Sequence, residues 1–129
     1  MTTMHNDARA AYRSNSIATA TPAQLLVMLV DRLVLDVERG VRAQMTSDWQ
    51  EANNQLQHAQ AIITQLQSTL DTEGWTGGHE LMALYVYIQQ RLIQANVRRD
   101  QRAGRECVAL TRHLRDTWKR AAELAARGA

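Results

Sequence analysis

Residues 47–70 read SDWQEANNQLQHAQAIITQLQSTL and decide the fold class. Apolar side chains recur at alternating intervals of three and four residues; they are Trp49, Ala52, Leu56, Ala59, Ile63, Leu66 and Leu70. This spacing places them on one side of an α-helix and is typical of helical bundles. Ser47, with Gln50 three residues later, predicts a capping box at the start of this helix. The stretch therefore predicts a helix that buries one side.

Three further helices are predicted around this one. Thr21-Pro22-Ala23-Gln24 has the residues of a helix start, and the glycines between Asp71 and Gly78 end the helix that precedes them. Asp100 is a predicted cap for the last helix. Its buried side is expected to carry Ala103, Cys107, Leu110, Leu114, Trp118, Ala121 and Leu124. The predicted helices cover residues 22–43, 48–70, 79–98 and 100–126.

Helices of similar length joined by short connections favour an all-α fold, an antiparallel up-and-down four-helix bundle. Residues 21–129 are assigned to this bundle. Residues 1–20 are polar and small, and they predict a flexible N-terminal arm whose large apolar groups after Met4 are Tyr12 and Ile17.

Composition excludes several classes of protein. Cys107 is the single cysteine of the 129 residues, so the chain forms no internal disulfide. The first residues lack the pattern of a secretory signal, and no apolar run reaches the roughly 20 residues that span a bilayer. These features predict a cytosolic protein without membrane insertion.

Residues with catalytic potential are scattered. His79-Glu80 resembles the start of a zinc-protease motif, but Ala83 stands where the second histidine is needed. No pair of Glu and His at the spacing of a di-iron bundle occurs, and the glycines lack the Lys-Ser/Thr of a phosphate loop. We therefore predict no catalytic residue, no metal site and no cofactor, and a protein that is not an enzyme.

Two helices carry more apolar residues than one core face requires. In the first helix the additional residues are Leu25, Met28 and Leu35. In the third they are Met82, Val86, Ile93 and Val97, with Gln89 and Asn96 between them and the core face. Two interpretations remain open: both helices are buried on two sides, or the second stripes line grooves for an amphipathic segment of a partner. The uncharged amides of the second helix could bond such a segment or simply face solvent.

Charge is distributed unevenly along the chain. Residues 1–90 contain five arginines and nine acidic residues, a net charge of −4; residues 91–129 contain nine arginines, one lysine and four acidic residues, a net charge of +6. The last helix carries a basic stripe of Arg98, Arg102, Arg105, Arg112 and Lys119. A solvated face and a nucleic-acid surface both fit the stripe, but no aromatic platform accompanies it. A basic nucleic-acid-binding bundle and a self-associating bundle remain alternatives.

Several segments resemble the flagellar export chaperones of the FliS type, which bind flagellin. The resemblance covers nearly the whole chain in order. It rests on Ala11-Tyr12, on Thr21-Pro22-x-Gln24-Leu25-Leu26-x-Met28-Leu29-x-Asp31, on Ala59-x-x-Ile62-Ile63-x-x-Leu66, on Leu84-Tyr85-x-Tyr87-Ile88-x-x-Arg91-Leu92-x-x-Ala95-Asn96-x-x-x-Asp100 and on Leu114-Arg115-x-x-Trp118.

The resemblance implies a cytosolic chaperone that works without ATP. It would hold the disordered C-terminal segment of flagellin, prevent premature polymerisation and escort the client to a component of the flagellar export gate. The family's N-terminal tyrosine segment, linked to covering the groove and contacting the gate, corresponds here to Tyr12, to which we add Ile17. We expect a monomer or a weak homodimer that does not bind nucleic acid.

Overall fold

The computed structural model describes residues 20–74 and 76–128, which form four helices and contain no strand. The helices are α1 (Pro22–Met45), α2 (Trp49–Thr69), α3 (Gly78–Val97) and α4 (Gln101–Gly128). Each packs against two others, in the cyclic order α1, α2, α3, α4. The predicted all-α antiparallel bundle is confirmed, and each predicted helix boundary lies within two residues of the observed one.

The helix starts follow from local hydrogen bonds. The Gln24 amide donates to Thr21 Oγ1 at 3.1 Å, and the Thr21 amide donates to Gln24 Oε1 at 2.9 Å, so the predicted capping box of α1 is present. Asp100 Oδ1 accepts from the Ala103 amide at 3.1 Å, as predicted for α4. The prediction for α2 is wrong by one residue: its cap is Asp48, because Ser47 has a φ of 58° and ends the turn that follows α1.

The core lies between the four helices and is lined by the predicted faces. Leu33 and Val37 of α1, Leu56 and Ile63 of α2, and Ile88 and Leu92 of α3 are fully buried. Cys107 of α4 lies among them. Two predicted core positions of α4 are exposed instead, Ala121 and Leu124. Glu106 lies opposite Tyr87 and Arg91, so in an antiparallel pair the residues of α4 beyond Trp118 extend past the first turn of α3 and have no α3 residue opposite them.

Glycine allows the closest helix approaches. A Cβ at Gly40 would lie 2.8 Å from Leu56 Cδ2, and a Cβ at Gly104 would lie 3.0 Å from Val41 Cγ2. Both glycines are buried. They bring α1 close to α2 on one side and to α4 on the other.

Buried polar groups link the elements across the core. Gln44 of α1 donates from Nε2 to the carbonyl of Ala95 in α3 at 2.8 Å, joining two helices that are diagonal in the bundle. Asp36, also fully buried, accepts from Arg32 Nε at 3.0 Å, and its other carboxylate oxygen lies 3.7 Å from His58 Nδ1 of α2. These contacts satisfy one atom of each group, whereas Asp36 Oδ2 and Gln44 Oε1 are buried without a hydrogen-bond partner in the described structure, which is costly.

We predict that Cys107 is unreactive in the folded protein. Burial raises the pKa of its thiol to about 12, so the reactive thiolate is nearly absent at neutral pH. Alkylation with iodoacetamide should therefore proceed at the rate of unfolding and accelerate when urea is added. Rapid stoichiometric modification without denaturant would contradict the buried position.

We also predict that an α3–α4 contact makes stability depend on acidic pH. Arg91 Nε and the Tyr87 hydroxyl donate to Glu106 at 2.6 and 3.0 Å, and these hydrogen bonds lower the pKa of Glu106 below its ordinary 4.5. A carboxylate with a lowered folded-state pKa stabilises the fold above its ordinary pKa and loses that contribution as pH falls through the folded-state value. The free energy of unfolding, measured with urea, should fall less between about pH 7 and about pH 3 in Glu106→Gln than in the wild type. Equal losses in the two proteins would show that the contact contributes nothing.

Candidate functional site

The second apolar stripe of α3 is exposed on the side of the helix that faces α2. The side chains of Val86, Ile93 and Val97 are 41%, 43% and 75% exposed, and Met82 is half-buried. The core stripe of the same helix, including Ile88 and Leu92, is fully buried. Of the two interpretations of this stripe, burial on two sides is therefore wrong.

Polar side chains close the space between this stripe and α2. Gln89 donates to Thr64 Oγ1 at 3.0 Å and to the carbonyl of Gln60 at 3.3 Å, and Asn96 donates to Asn53 Oδ1 at 2.9 Å. These bonds bridge α2 and α3 along a strip of surface that has the apolar stripe of α3 on one side and amide and hydroxyl side chains of α2 on the other. We call it the α2–α3 groove.

One end of the α2–α3 groove widens into a cavity of about 250 Å³, beside Asn53, Asn96 and Val97. The guanidinium of Arg99 lies 4.5 Å from the ring centroid of Trp49 at this end, a cation–π contact. Trp49 is half-buried and does not belong to the core cluster, contrary to its predicted place on the buried side of α2. Its ring forms part of the groove's end wall.

The α2–α3 groove is nearly free of charge. Between residues 52 and 70 the chain has no Asp, Glu, Lys or Arg, and between residues 81 and 97 Arg91 is the single charged residue. Arg91 bonds Glu106 of α4, on the other flank of α3. A ligand of this groove would therefore be held by apolar burial and neutral hydrogen bonds.

The predicted site residues of α1 lie on a different surface. Leu25 and Met28 are each 40% exposed, and Leu35 is half-buried. Met28 lines a cavity of about 320 Å³ together with Lys119 and Ala122 of α4. Because α1 is diagonal to α3, the two sets of residues do not form one groove. Tyr12 and Ile17 lie outside the described residues.

The helical periodicity did not predict two residues of the site. Gln44 lines the cavity at the groove's end although it belongs to α1, and Arg99 reaches the same cavity from the turn between α3 and α4. Arg99 has a φ of 51°, a left-handed conformation that aims its side chain back over α2. Such a turn depends on tertiary contacts that a periodic pattern does not contain.

The described residues supply no site for a metal and no membrane span. No cluster of three or more His, Cys, Asp and Glu side chains occurs within 20–74 and 76–128. None of the helices in that part of the chain is long and apolar enough to cross a bilayer.

Comparison with known proteins identifies the class to which this bundle belongs. A structure titled "Crystal structure of flagellar chaperone from bacteria" superposes with a TM-score of 0.72, covering 91% of this chain and 98% of that one at 21% identity, which shows the shared fold. The family model "Flagellar protein FliS" matches residues 4–125.

Two curated relatives agree with that match. The "Flagellar secretion chaperone FliS" of Bacillus subtilis (strain 168) is 33% identical over 111 residues, which is 86% of this chain and 83% of the relative. The protein of the same name from Escherichia coli (strain K12) is 34% identical over 107 residues, covering 81% and 79%. The chain belongs to the FliS family of flagellar secretion chaperones. The predicted family is confirmed, and so is the prediction that the protein is not an enzyme.

We predict that the Asn53–Asn96 bond contributes to stability. Asn96→Ala leaves the Asn53 carbonyl oxygen without its donor and should lower the free energy of unfolding by about 1 kcal/mol, measured by urea denaturation. Asn54→Ala, an exposed change on the same helix as Asn53, should have an effect below about 0.5 kcal/mol. If Asn53→Ala and Asn96→Ala are strictly additive in the double variant, the two side chains are not coupled.

Proposed function

We propose that this protein is a cytosolic export chaperone specific for flagellin. It binds the disordered C-terminal segment of flagellin in apolar grooves, prevents premature polymerisation and escorts the client to the flagellar export apparatus. The observation that carries the proposal is the exposed stripe Val86, Ile93 and Val97 on α3 of a FliS-family bundle. The two curated relatives carry the name of flagellar secretion chaperones.

The chemistry of the α2–α3 groove suits such a client. A segment that becomes an amphipathic helix in an assembled filament exposes an apolar stripe while it is unpaired, and the wall of Val86 and Ile93 can cover that stripe. The amides of α2 can satisfy polar groups at its edge without burying an ion. Because the client orders as it binds, part of the binding energy is spent on ordering, which keeps the complex reversible.

Other predicted contacts extend this proposal. Gln89 and Asn96 bridge the two sides of the groove, and Met82 and Val97 extend its apolar side. Leu25, Met28 and Leu35 of α1 form a second candidate surface for the client. We assign to Tyr12 and Ile17 of the arm a role in covering the groove and contacting the export gate. The chaperone itself is proposed to be a monomer or weak homodimer.

The test compares two faces of α3. Val86→Asp and Ile93→Asp should each leave helicity and thermal melting nearly unchanged, because both side chains already contact solvent. Each should weaken binding of a C-terminal flagellin peptide of about 40 residues by at least about tenfold, or roughly 1.4 kcal/mol, because client contact would bury the new carboxylate. Titration calorimetry measures this change, and wild-type binding should have a large negative heat-capacity change.

Two control variants on α3 distinguish loss of folding from loss of client binding. Ile88→Asp places a carboxylate in the core and should unfold the bundle, whereas Ala83→Asp changes an exposed residue of α3 outside the stripe and should bind normally. Normal binding by both Val86→Asp and Ile93→Asp would move the client to the Met28 and Leu35 surface. Affinity that falls steeply with salt would favour a nucleic-acid-binding protein, and a stable dimer that the peptide does not dissociate would favour a self-associating bundle.

A further inference from the structure

A second cleft, between α1 and α4, lies on the side of the bundle opposite the α2–α3 groove. It has a volume of about 350 Å³ and an apolar floor that includes Val41 and Val108. Its rim carries Arg42, Arg105 and Arg112 and one acidic residue, Glu38, so the lining has a net charge of +2. We call it the arginine cleft.

Glu38, the single acidic residue of the cleft, already contacts two of its arginines. Arg112 Nε donates to Glu38 Oε1 at 3.2 Å, and an Arg42 guanidinium nitrogen lies 3.9 Å from Glu38 Oε2. Arg105 is exposed and has no ion-pair partner within residues 20–74 and 76–128. The positive charge is thus not neutralised by the neighbouring helices, and it stands beside an apolar surface.

The same helix pair holds the Met28 cavity further along. Val27 and Val41 are 14 residues apart on α1, and Val108 and Ala122 are 14 residues apart on α4, so about 21 Å of helix separates the two cavities. The charged residues lining the Met28 cavity are Lys119 and Glu123, which balance each other. The α1–α4 side therefore has two apolar depressions along one line and excess positive charge at one of them.

We propose that the α1–α4 side is a second docking surface whose partner is an amphipathic helical segment with acidic residues at one end. Its apolar side chains enter the two cavities, and its carboxylates pair with Arg105 and the neighbouring arginines. The spacing requires a helix of about five turns, since about 21 Å must be spanned with side chains at both ends. This surface is distinct from the α2–α3 groove, so both can be occupied together when the client binds in that groove and not at the Met28 and Leu35 surface.

The proposal also accounts for three of the five residues of the basic stripe, since Arg98 and Arg102 line neither cavity. Arg105, Arg112 and Lys119 follow one another at seven-residue intervals, and all three face α1. Lys119 is paired with Asp31 at 3.1 Å and Arg112 with Glu38, which leaves Arg105 as the member available to a partner. A phosphate backbone would be attracted by the same charges, but the apolar floor and the second cavity favour a segment with apolar side chains.

The experiment uses the full chain and a synthetic peptide of about 20 residues, acetylated, amidated and labelled for fluorescence anisotropy. The peptide has leucines at alternating intervals of three and four residues and glutamates near one end.

We expect the wild-type protein to bind it, Arg105→Glu to weaken binding at least about tenfold, and Arg105→Gln to weaken it less. Arg120→Glu, an exposed change on the same helix outside the cleft, should leave the affinity within about twofold. Val86→Asp should also bind as the wild type does, which separates this result from the test of the client groove.

Several outcomes would overturn the proposal. Absence of binding, or equal weakening by Arg105→Glu and Arg120→Glu, would show that the cleft is not the docking site. Equal binding of a peptide with the same composition in scrambled order would reduce the interaction to net charge. Tighter binding of a single-stranded oligonucleotide of similar length, lost in Arg105→Glu, would assign the surface to nucleic acid. Circular dichroism of each variant establishes that the helices are intact.

Discussion

Within the described residues, each helix of this bundle packs mainly against two neighbours, so about half of its circumference is available for burial in a single core. Helix α3 carries more apolar residues than that half of its circumference can bury. Ile88 and Leu92 fill the core, and none of the four described helices covers the second stripe, with Val86 and Ile93. In the described part of the chain, the exposure of the stripe therefore follows from the number of helices, and a further element is needed to bury it. In the proposed function, that element is the client, or the N-terminal arm when it covers the groove.

Opposite sides of the bundle have different chemistry. The α2–α3 groove is built mainly from aliphatic side chains, amides and a hydroxyl, with Trp49 and Arg99 at one end, so its attraction for a ligand depends less on salt than that of the arginine cleft. The arginine cleft combines an apolar floor with excess positive charge, so an ionic contribution is expected there. The net positive charge of the C-terminal part of the chain thus lies on the α1–α4 side of the bundle, where α4 supplies two of the three arginines of the cleft. Two surfaces of such unlike character attract partners of different chemistry.

The periodic pattern predicted the helices and the α3 stripe because both depend on intervals of three and four residues along one helix. The caps Thr21 and Asp100 were predictable for the same reason, since their partners are three residues away. Contacts between helices carried no such signal. The bonds of Gln89 to Thr64 and of Gln44 to Ala95 join residues 25 and 51 positions apart. Trp49 and Leu124 fit the pattern but lie at or beyond the ends of neighbouring helices, where periodicity continues and the core does not.

The buried glycines restrict how this protein could be engineered for thermostability. Replacing a helical glycine with alanine ordinarily gains up to about 1 kcal/mol in helix propensity, and Gly40 and Gly104 are obvious choices from sequence. At Gly40 the added methyl group would meet Leu56 at 2.8 Å, and at Gly104 it would meet Val41 at 3.0 Å. In a tightly packed core, the side chain of Leu56 or Val41 has to shift to admit the methyl group, which offsets the gain in helix propensity. Because α1 and α4 together shape the arginine cleft, Gly104→Ala would change the geometry of that cleft as well as the stability of the fold.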